Sequence, residues 1–400
     1  MSDSLTNAMK SALDILSRGP GGRVKLFHHN DTDGLTSGAI LTRAFQRAGY
    51  SISRICLEKP YPAVLEKIFQ NEKEILIFAD FAGRIAPLLS KMNEGRNLVL
   101  ILDHHIAEPS EDSSVINLDP DLFNLKGDRD ISASTTCYLF AVAMDKINID
   151  LAFLATLGAV GDEFFVDGKL AGENRKVMIE AVNQGLVRVE EHEKGERYFF
   201  KSSRGEVSGE NFSEYLDILG GAGFYKGGPE AGIRVCLDGF NSESDNMVEK
   251  LRKIKDEKFA EEIKKLKQGE MFTTRHIQWF HVQNRLWPMG VKMIGTLCDK
   301  IKNMDFLSND KYLAGFQIIP NEIPGFGEIK INQVKVSMRV SSHLENRIRE
   351  GNIMGLDAIL PEATGRLGGF SDACHSLTAA TTIDLGKEEL LIQEMENILG

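Results

Sequence analysis

Val24-Lys-Leu-Phe-His-His-Asn-Asp-Thr-Asp-Gly34 is the stretch whose reading decides the fold. Val24, Leu26 and Phe27 read as the end of a buried strand. His28, His29, Asn30, Asp31 and Asp33 follow, and Gly34 opens a run over 35–48 with apolar residues at helical spacing. A strand that passes through a polar loop into a helix is the first unit of an open α/β sheet. Such sheets bind ligands beyond the carboxyl ends of their strands. Asp31 and Asp33 flank a single residue, so a curled loop brings both carboxylates to one place, where they repel each other. A divalent cation relieves that repulsion, and oxygen ligands beside an imidazole suit Mg²⁺ or Mn²⁺. The competing reading is a solvated Asp-Thr-Asp turn that caps the helix.

The pattern repeats outward from this stretch. Residues 51–57 read as a strand and 61–70 as a helix. Glu74-Ile-Leu-Ile-Phe-Ala-Asp80 is a second apolar run that stops at an aspartate, with a helix over 85–93 behind it. Asn97-Leu-Val-Leu-Ile-Leu-Asp103-His104-His105 is a third. Short, nearly continuous apolar strands alternating with helices predict a parallel, doubly wound sheet. Two apolar helices follow, over 134–144 and 151–160, the second running into Gly158-Ala-Val-Gly-Asp162. A carboxylate where a helix stops is disfavoured by the helix dipole, so a positive partner is expected beside Asp162. Upstream, 1–18 reads as an amphipathic helix ended by Gly19-Pro-Gly-Gly22.

The bulk composition narrows the function classes. The chain has 400 residues, enough for two or three domains, and its 47 basic against 58 acidic side chains give a net charge of −11. That disfavours coating of nucleic acid by a basic surface, yet suits an acidic centre that needs cations before it can approach phosphate. The 5 cysteines stand without a Cys-x-x-Cys pair, so neither a zinc site nor a disulfide framework is predicted, and a reducing, cytoplasmic setting fits. No signal peptide or membrane-spanning segment is expected.

Residues 211–237 are glycine-rich (Leu219-Gly-Gly-Ala-Gly-Phe-Tyr-Lys-Gly-Gly228) but lack the Lys-Ser/Thr ending of a P-loop, so they read as a closely packed connection. Residues 246–268 read as a charged, solvated helix of mixed sign. Strands are expected over 311–319 and 329–340, then a helix, a Gly-rich turn at Gly365-Arg-Leu-Gly-Gly369, and a final strand and helix. The expected division is 1–190, a connecting region over 191–304, and 305–400.

In chain order, Asn30-Asp-Thr-Asp-Gly34, Asp80, Asp103-His104-His105 and Gly158-Ala-Val-Gly-Asp162 resemble the four motifs of the DHH phosphoesterase superfamily. The C-terminal part resembles its DHHA1 domain: Val336-Ser-Met-Arg-Val340 resembles the Ser-x-Arg strand, and Gly368, Gly369, His375 and Ala379-Ala380 its Gly-Gly-His and Ala-Ala element. Residues 370–374 intervene between glycines and histidine, and Thr381 stands where glycine is usual. The His-Asn-Asp-x-Asp-Gly form and the Leu219 to Tyr225 stretch are most similar to archaeal RecJ-like exonucleases, with a looser likeness over 170–300. The implied fold is α/β, a parallel doubly wound DHH domain joined by a helical linker to a smaller α/β DHHA1 domain.

The resemblance implies two Mn²⁺ or Mg²⁺ ions, with Asp31 on one, Asp33 and His104 on the other, Asp80 between them and Asp162 closing the site. His29 is a further candidate ligand. His28 is as close in sequence, and since neighbours on a strand face opposite ways only one of the two can point inward. Asp103 and His105 are the expected catalytic pair, Asp103 orienting a histidine and His105 meeting the phosphate or a carboxylate. Ser337, Arg339, Gly368, Gly369 and His375 are expected to hold substrate, Arg339 through a bidentate phosphate contact. Phe370 and Tyr312 are candidate base-stacking residues, whereas Trp279 and Trp287 read as core.

The implied activity is two-metal hydrolysis of single-stranded DNA or RNA to mononucleotides, in replication or repair. Partners would be the nucleic acid strand and replication or repair proteins, with no membrane; an oligomer stays open. The alternatives are a phosphodiesterase for short RNA or cyclic dinucleotides, and a non-catalytic helicase partner; the complete acidic set argues against the latter.

Overall fold

A computed structural model describes residues 3–19, 21–127 and 129–400, without the side chains of 3 and 370–373. The chain divides into two compact units, Met1–Glu249 with Pro324–Gly327, and Lys250–Ile323 with Glu328–Gly400.

In the first unit, β1 (Arg23–His28), β2 (Ser51–Cys56), β3 (Ile75–Ala79), β4 (Leu98–Leu102) and β5 (Val115–Asn117) form a sheet of order β2-β1-β3-β4-β5. Every pairing is parallel. β3 and β4 are buried at every position, as their unbroken Ile-Leu-Ile-Phe-Ala and Leu-Val-Leu-Ile-Leu runs require of strands covered on both faces. Helices α1 (Asp3–Arg18), α2 (Thr32–Arg47), α3 (Pro62–Ile68) and α4 (Ala86–Asn93) alternate with these strands, and α5 (Ala133–Met144) and α6 (Ala152–Gly161) follow β5. The strand order reverses between β1 and β3, so the loops leaving their carboxyl ends part and open a crevice.

Helix α2 begins at Thr32 rather than 35. Asp31 is its N-cap, its Oδ1 accepting the Gly34 N–H at 2.9 Å, and the helical bonds start with the Leu35 N–H to the Asp31 carbonyl at 2.8 Å. Capping and burial therefore coincide: Asp31 is 8 % and Asp33 0 % exposed, so the turn is not solvated. The unit continues through α7 (Gly172–Asn183), α8 (Gly209–Asp217) and α9 (Gly228–Asp238). The Gly-rich stretch forms a widened helical turn at Ile218–Ala222, packed so closely that a Cβ on Gly220 would lie 1.7 Å from the Asn30 carbonyl oxygen.

The charged helix expected over 246–268 is α10 (Ser242–Lys267). The second unit has a mixed six-stranded sheet in the order Phe272–Thr273, Ile277–His281, Tyr312–Ile318, Gln333–Arg339, Thr378–Asp384, Phe370–Cys374. Two of its strands come from 191–304, assigned from sequence to a connection; the aromatic Ile277–His281 segment pairs in parallel with Tyr312–Ile318. α11 (Met293–Ile301), α12 (Ser342–Arg349), α13 (Leu356–Arg366) and α14 (Glu388–Leu399) complete the unit. Its core gathers Phe316, Val336, Met338, Leu360, Ile383 and Met395.

None of the five cysteines is in a disulfide. Among the described residues no helix is long and apolar enough to cross a membrane.

Candidate metal centre

The two histidines after Phe27 part as strand geometry demands. His28 turns into the protein, 2 % exposed against Gly38 of α2, and its Nδ1–H donates to the His29 carbonyl at 2.8 Å. Burial pushes it down to about 4, so it stays neutral. His29 faces the crevice, its Nδ1 2.7 Å from Asp31 Oδ2 and 3.5 Å from Asp80 Oδ2. Of the two histidines left open by the sequence, it is His29 that lies beside the carboxylates.

Asp33 reaches the far wall. Its Oδ2 accepts the Ala133 N–H at 2.8 Å and its Oδ1 the Ser134 N–H at 3.0 Å, so the carboxylate sits on the amino end of α5. Burial pushes Asp33 up, and His104 and Ser134 oppose that shift. The motif glycines at 158 and 161 make room for this arrangement. A Cβ on Gly158 would fall 2.1 Å from Ser134 Oγ and 2.3 Å from Asp33 Oδ1, and one on Gly161 would fall 2.5 Å from Thr32 Cβ. Helix α6 thus lies flush against the first turn of α2, and Asp162, its C-cap, arrives at the site. Beside Asp162 stands His104, whose Nε2 lies 3.9 Å from its Oδ2.

Asp80 leaves β3 in the left-handed region, with φ +66, and Ala82 follows at φ +88. Side chains other than glycine adopt that backbone only where surrounding structure imposes it, most often at functional sites. The Asp80 carboxylate is 2 % exposed, and neither oxygen receives a hydrogen bond. Burial, reinforced by Asp31, Asp33, Asp162 and Asp103, pushes it well above the usual carboxylate range.

The Asp103-His104-His105 triplet divides its labour. His104 Nδ1–H donates to the Gly127 carbonyl at 2.5 Å, which fixes the tautomer and leaves Nε2 bare, 3.4 Å from Asp80 Oδ1 and without a hydrogen bond. Burial alone would push His104 down, but Asp33, Asp103 and Asp162 raise it. Asp103 accepts the Gly83 N–H on Oδ2 at 2.8 Å, and on Oδ1 both the His104 N–H at 2.8 Å and His105 Nδ1 at 2.7 Å. Its burial would raise it, but His105, His104 and the amide bonds outweigh that and hold it below the usual range. With both oxygens engaged, Asp103 orients His105, whose side chain is 33 % exposed.

Donor atoms within 4.8 Å of one another form the sets Asp80-Asp103-His104-His105, Asp33-Asp80-His104-Asp162 and His29-Asp31-Asp80. Asp80 belongs to all of them. Bare carboxylate oxygens and an imidazole Nε2 fixed from behind suit Mn²⁺ or Mg²⁺.

Sequence reasoning missed several supports. Asp217 Oδ1 accepts both the backbone N–H and the hydroxyl of Thr32 at 3.0 Å, clamping the motif turn from a distant segment. Asn117 donates to the Gly83 and Glu108 carbonyls at 2.9 Å, shaping the loop that feeds Asp103. Asp119 is fully buried, and burial beside Asp103 pushes it well up. The short spacing Asn117-Leu-Asp119 after the Asp-His-His triplet was the only local signal.

In the second unit, Ser337 and Arg339 lie on one face of Gln333–Arg339 beside α11, where a Cβ on Gly295 would be 2.9 Å from Arg339 Nη2 and 3.3 Å from Ser337 Oγ. Arg339 Nε donates to Asp299 Oδ2 at 2.8 Å, and Nη1 to the Met338 carbonyl at 2.9 Å. Gly368 has φ +69, and Gly369 packs against Thr364 and the Thr382 carbonyl. His375 is not brought beside these glycines: the intervening residues form the strand Phe370–Cys374, so it sits at the opposite end of a 5-residue strand. Tyr312, expected to stack bases, is instead core, 4 % exposed with its hydroxyl donating to the Met354 carbonyl at 2.6 Å. The Phe370 side chain lies outside the described residues. Trp279 is buried as expected, but Trp287 is 38 % exposed.

Residues 23–161 match the family model described as the DHH family, N-terminal domain. An uncharacterized protein of Methanocaldococcus jannaschii is 34% identical over 175 residues, a match covering 42% of this chain and 39% of the relative's length. Among solved structures, RecJ from Thermus thermophilus in complex with Mn²⁺ superposes with a TM-score of 0.63 at 15% identity, covering 99% of this chain and 55% of that one. A DHH-domain structure described as belonging to a family of ribosomal proteins gives 0.63 at 14% identity, covering 100% and 92%. At such identities the likeness establishes the fold.

Proposed function

We propose that this chain, whose residues 23–161 form a DHH-family domain in a RecJ-like fold, is a divalent-metal-dependent phosphodiesterase that trims single-stranded DNA or RNA from an end and releases mononucleotides. The observation that carries the reading is Asp80: a buried carboxylate without a hydrogen bond, on a left-handed backbone, ringed by acids and two imidazoles. In its charged form such a group calls for a cation beside it; without one, burial holds it protonated. His29, Asp31, Asp33, Asp80, His104 and Asp162 would hold an ion pair, which when bound supplies Lewis acidity and a water activated near neutral pH.

The protein's own part is positioning. The α5 amides fix Asp33 and the Gly127 carbonyl fixes His104, so both present donors without rearrangement. Asp103 orients His105 through its Nδ1, which suits the ring to hydrogen-bond a phosphate oxygen. Ser337 and Arg339 are proposed to hold a phosphate of the strand, with Gly368, Gly369 and His375 as further contacts on the same unit. The RecJ structures described with Mn²⁺ and with Mg²⁺ support the choice of ion for this fold.

The test is a time course on 5′- and 3′-labelled DNA and RNA strands of graded length, with Mn²⁺ or Mg²⁺. Progressive shortening of long strands from one end is expected. Cleavage confined to dinucleotides through pentanucleotides would replace this reading by a short-RNA phosphodiesterase. No cleavage with either ion would overturn it.

A further inference from the structure

The segment after Asp162 sends consecutive phenylalanines to opposite environments. Glu163 takes φ +57, and the Phe165 N–H turns back onto the Glu163 carbonyl at 2.6 Å. Phe164 goes inward, 4 % exposed, its ring against His104 at 5.2 Å between centroids and 64° between planes. Phe165 goes outward, 39 % exposed. A single exposed apolar residue needs no explanation in general; this one has two further properties.

The first is location. Phe165 stands three positions beyond a candidate metal ligand, next to the ring that packs on another. Among the described residues of the first unit, the other exposed large apolar side chains are aliphatic, Ile106 directly after His105 being one of them. The second is preparation. The Phe165 ring lies parallel to that of Tyr198, 6.0 Å between centroids with 6° between planes. Tyr198 is itself anchored: its hydroxyl donates to Glu196 at 2.7 Å and accepts the Leu170 N–H at 2.9 Å, and Arg175 pairs with Glu196. Phe165 is thus backed by a fixed ring and still 39 % exposed, so stacking there would sacrifice little side-chain freedom.

We propose that the exposed ring of Phe165 is the stacking platform for the nucleobase next to the scissile phosphate, so that the centre takes base-bearing strands in preference to bare phosphodiester chains. Stacking on an aromatic face accepts every base, as trimming of arbitrary sequence requires. The inference rests on the proposed function and adds what recognises the substrate beyond its phosphate.

The test is binding of the full chain, with Ca²⁺ in place of a catalytic ion, to fluorescent ten-nucleotide DNA. It compares an intact strand with strands bearing an abasic residue at the 5′ or the 3′ end. The wild-type protein should prefer the intact strand over one of the abasic strands by about 5- to 100-fold. Phe165→Ala should bind the intact strand no better than that abasic one. Phe165→Leu, which keeps the apolar volume, should behave like the alanine variant, and Phe165→Trp should restore the preference. Equal weakening on all strands, no change, or full binding by Phe165→Leu overturns the proposal. Base-dependent binding without cleavage in Mn²⁺ would remove the nuclease reading and leave the platform standing. Absence of binding to every strand would remove both.

Discussion

Replacing Asp80 by asparagine keeps the shape of the side chain and removes its charge, so it separates the cost of the acidic cluster from its use. Both Asp80 oxygens lack hydrogen bonds from the protein, and Asp31, Asp33, Asp162 and Asp103 add repulsion to burial. The folded form therefore binds a proton more tightly than the unfolded chain. Between the unfolded value near ~4 and the raised folded value, stability falls as pH rises; below that window the group contributes no loss. Each pH unit of elevation is about 1.4 kcal/mol of stability missing at neutral pH, or roughly 3–6 °C in Tm for a unit of this size. Metal-free Asp80→Asn should melt higher than wild type near neutral pH, and its Tm should vary less between pH 4 and 7. The order should reverse with metal. Wild type at a Mn²⁺ concentration 100 times its Kd gains about 2.7 kcal/mol, roughly 5–11 °C, whereas the variant should gain little and lose hydrolysis. Thermal melts across pH, with and without Mn²⁺, read both effects. A metal-free variant that melts no higher than wild type, or that keeps the full Mn²⁺ shift, would refute the assignment of Asp80 as the shared ligand.

Gly158→Ala should cost about 1–3 kcal/mol by overpacking against Ser134 and Asp33, and should lower hydrolysis along with Tm; unchanged activity would show that α6 does not set the Asp33 geometry. His29→Ala should abolish the Mn²⁺-induced rise in Tm, whereas His28→Gln should leave it intact. Because burial holds His28 at about 4, the unfolded chain takes up its proton first as pH falls. That stability is complete above ~6.5 and lost down to about 4, on the order of 3 kcal/mol, and His28→Gln should flatten this part of the acid limb. Arg339→Ala should raise KM on oligonucleotides while leaving the Mn²⁺ titration unchanged; an unaltered KM would count against its phosphate role.

The parallel sheet was legible because each strand announces itself twice, by an unbroken apolar run and by the ionisable group that stops it. Phe78-Ala79-Asp80 and Ile101-Leu102-Asp103 show both signals within three residues. The acidic set was legible for the same reason. Local sequence hid which atoms each candidate ligand has without a hydrogen bond. That Asp103 is fully engaged, and Asp80 not at all, depends on Gly83 and on the left-handed turn after β3. The Asp217 clamp on Thr32 spans 185 residues and leaves no local trace. The onset of α2 was hidden because the Asp31 cap bond uses Oδ1 alone and leaves Oδ2 beside His29 in the candidate site. In the second unit, alternation marked Gln333–Arg339 as a strand but could not say that Tyr312 points into the core. The Ile277–His281 strand lay in a segment set aside as a connection.

The Asp33 carboxylate is caught by amides at Ala133 and Ser134, and the turn that carries it is closed by Asp217. During translation the earliest acids leave the ribosome long before these partners exist. Ion capture by this set would therefore be a late event in biosynthesis, deferred until the chain has been made beyond Asp217 and the sheet has paired. A truncated product ending earlier would carry the acids at 31, 33 and 80 yet hold no ion.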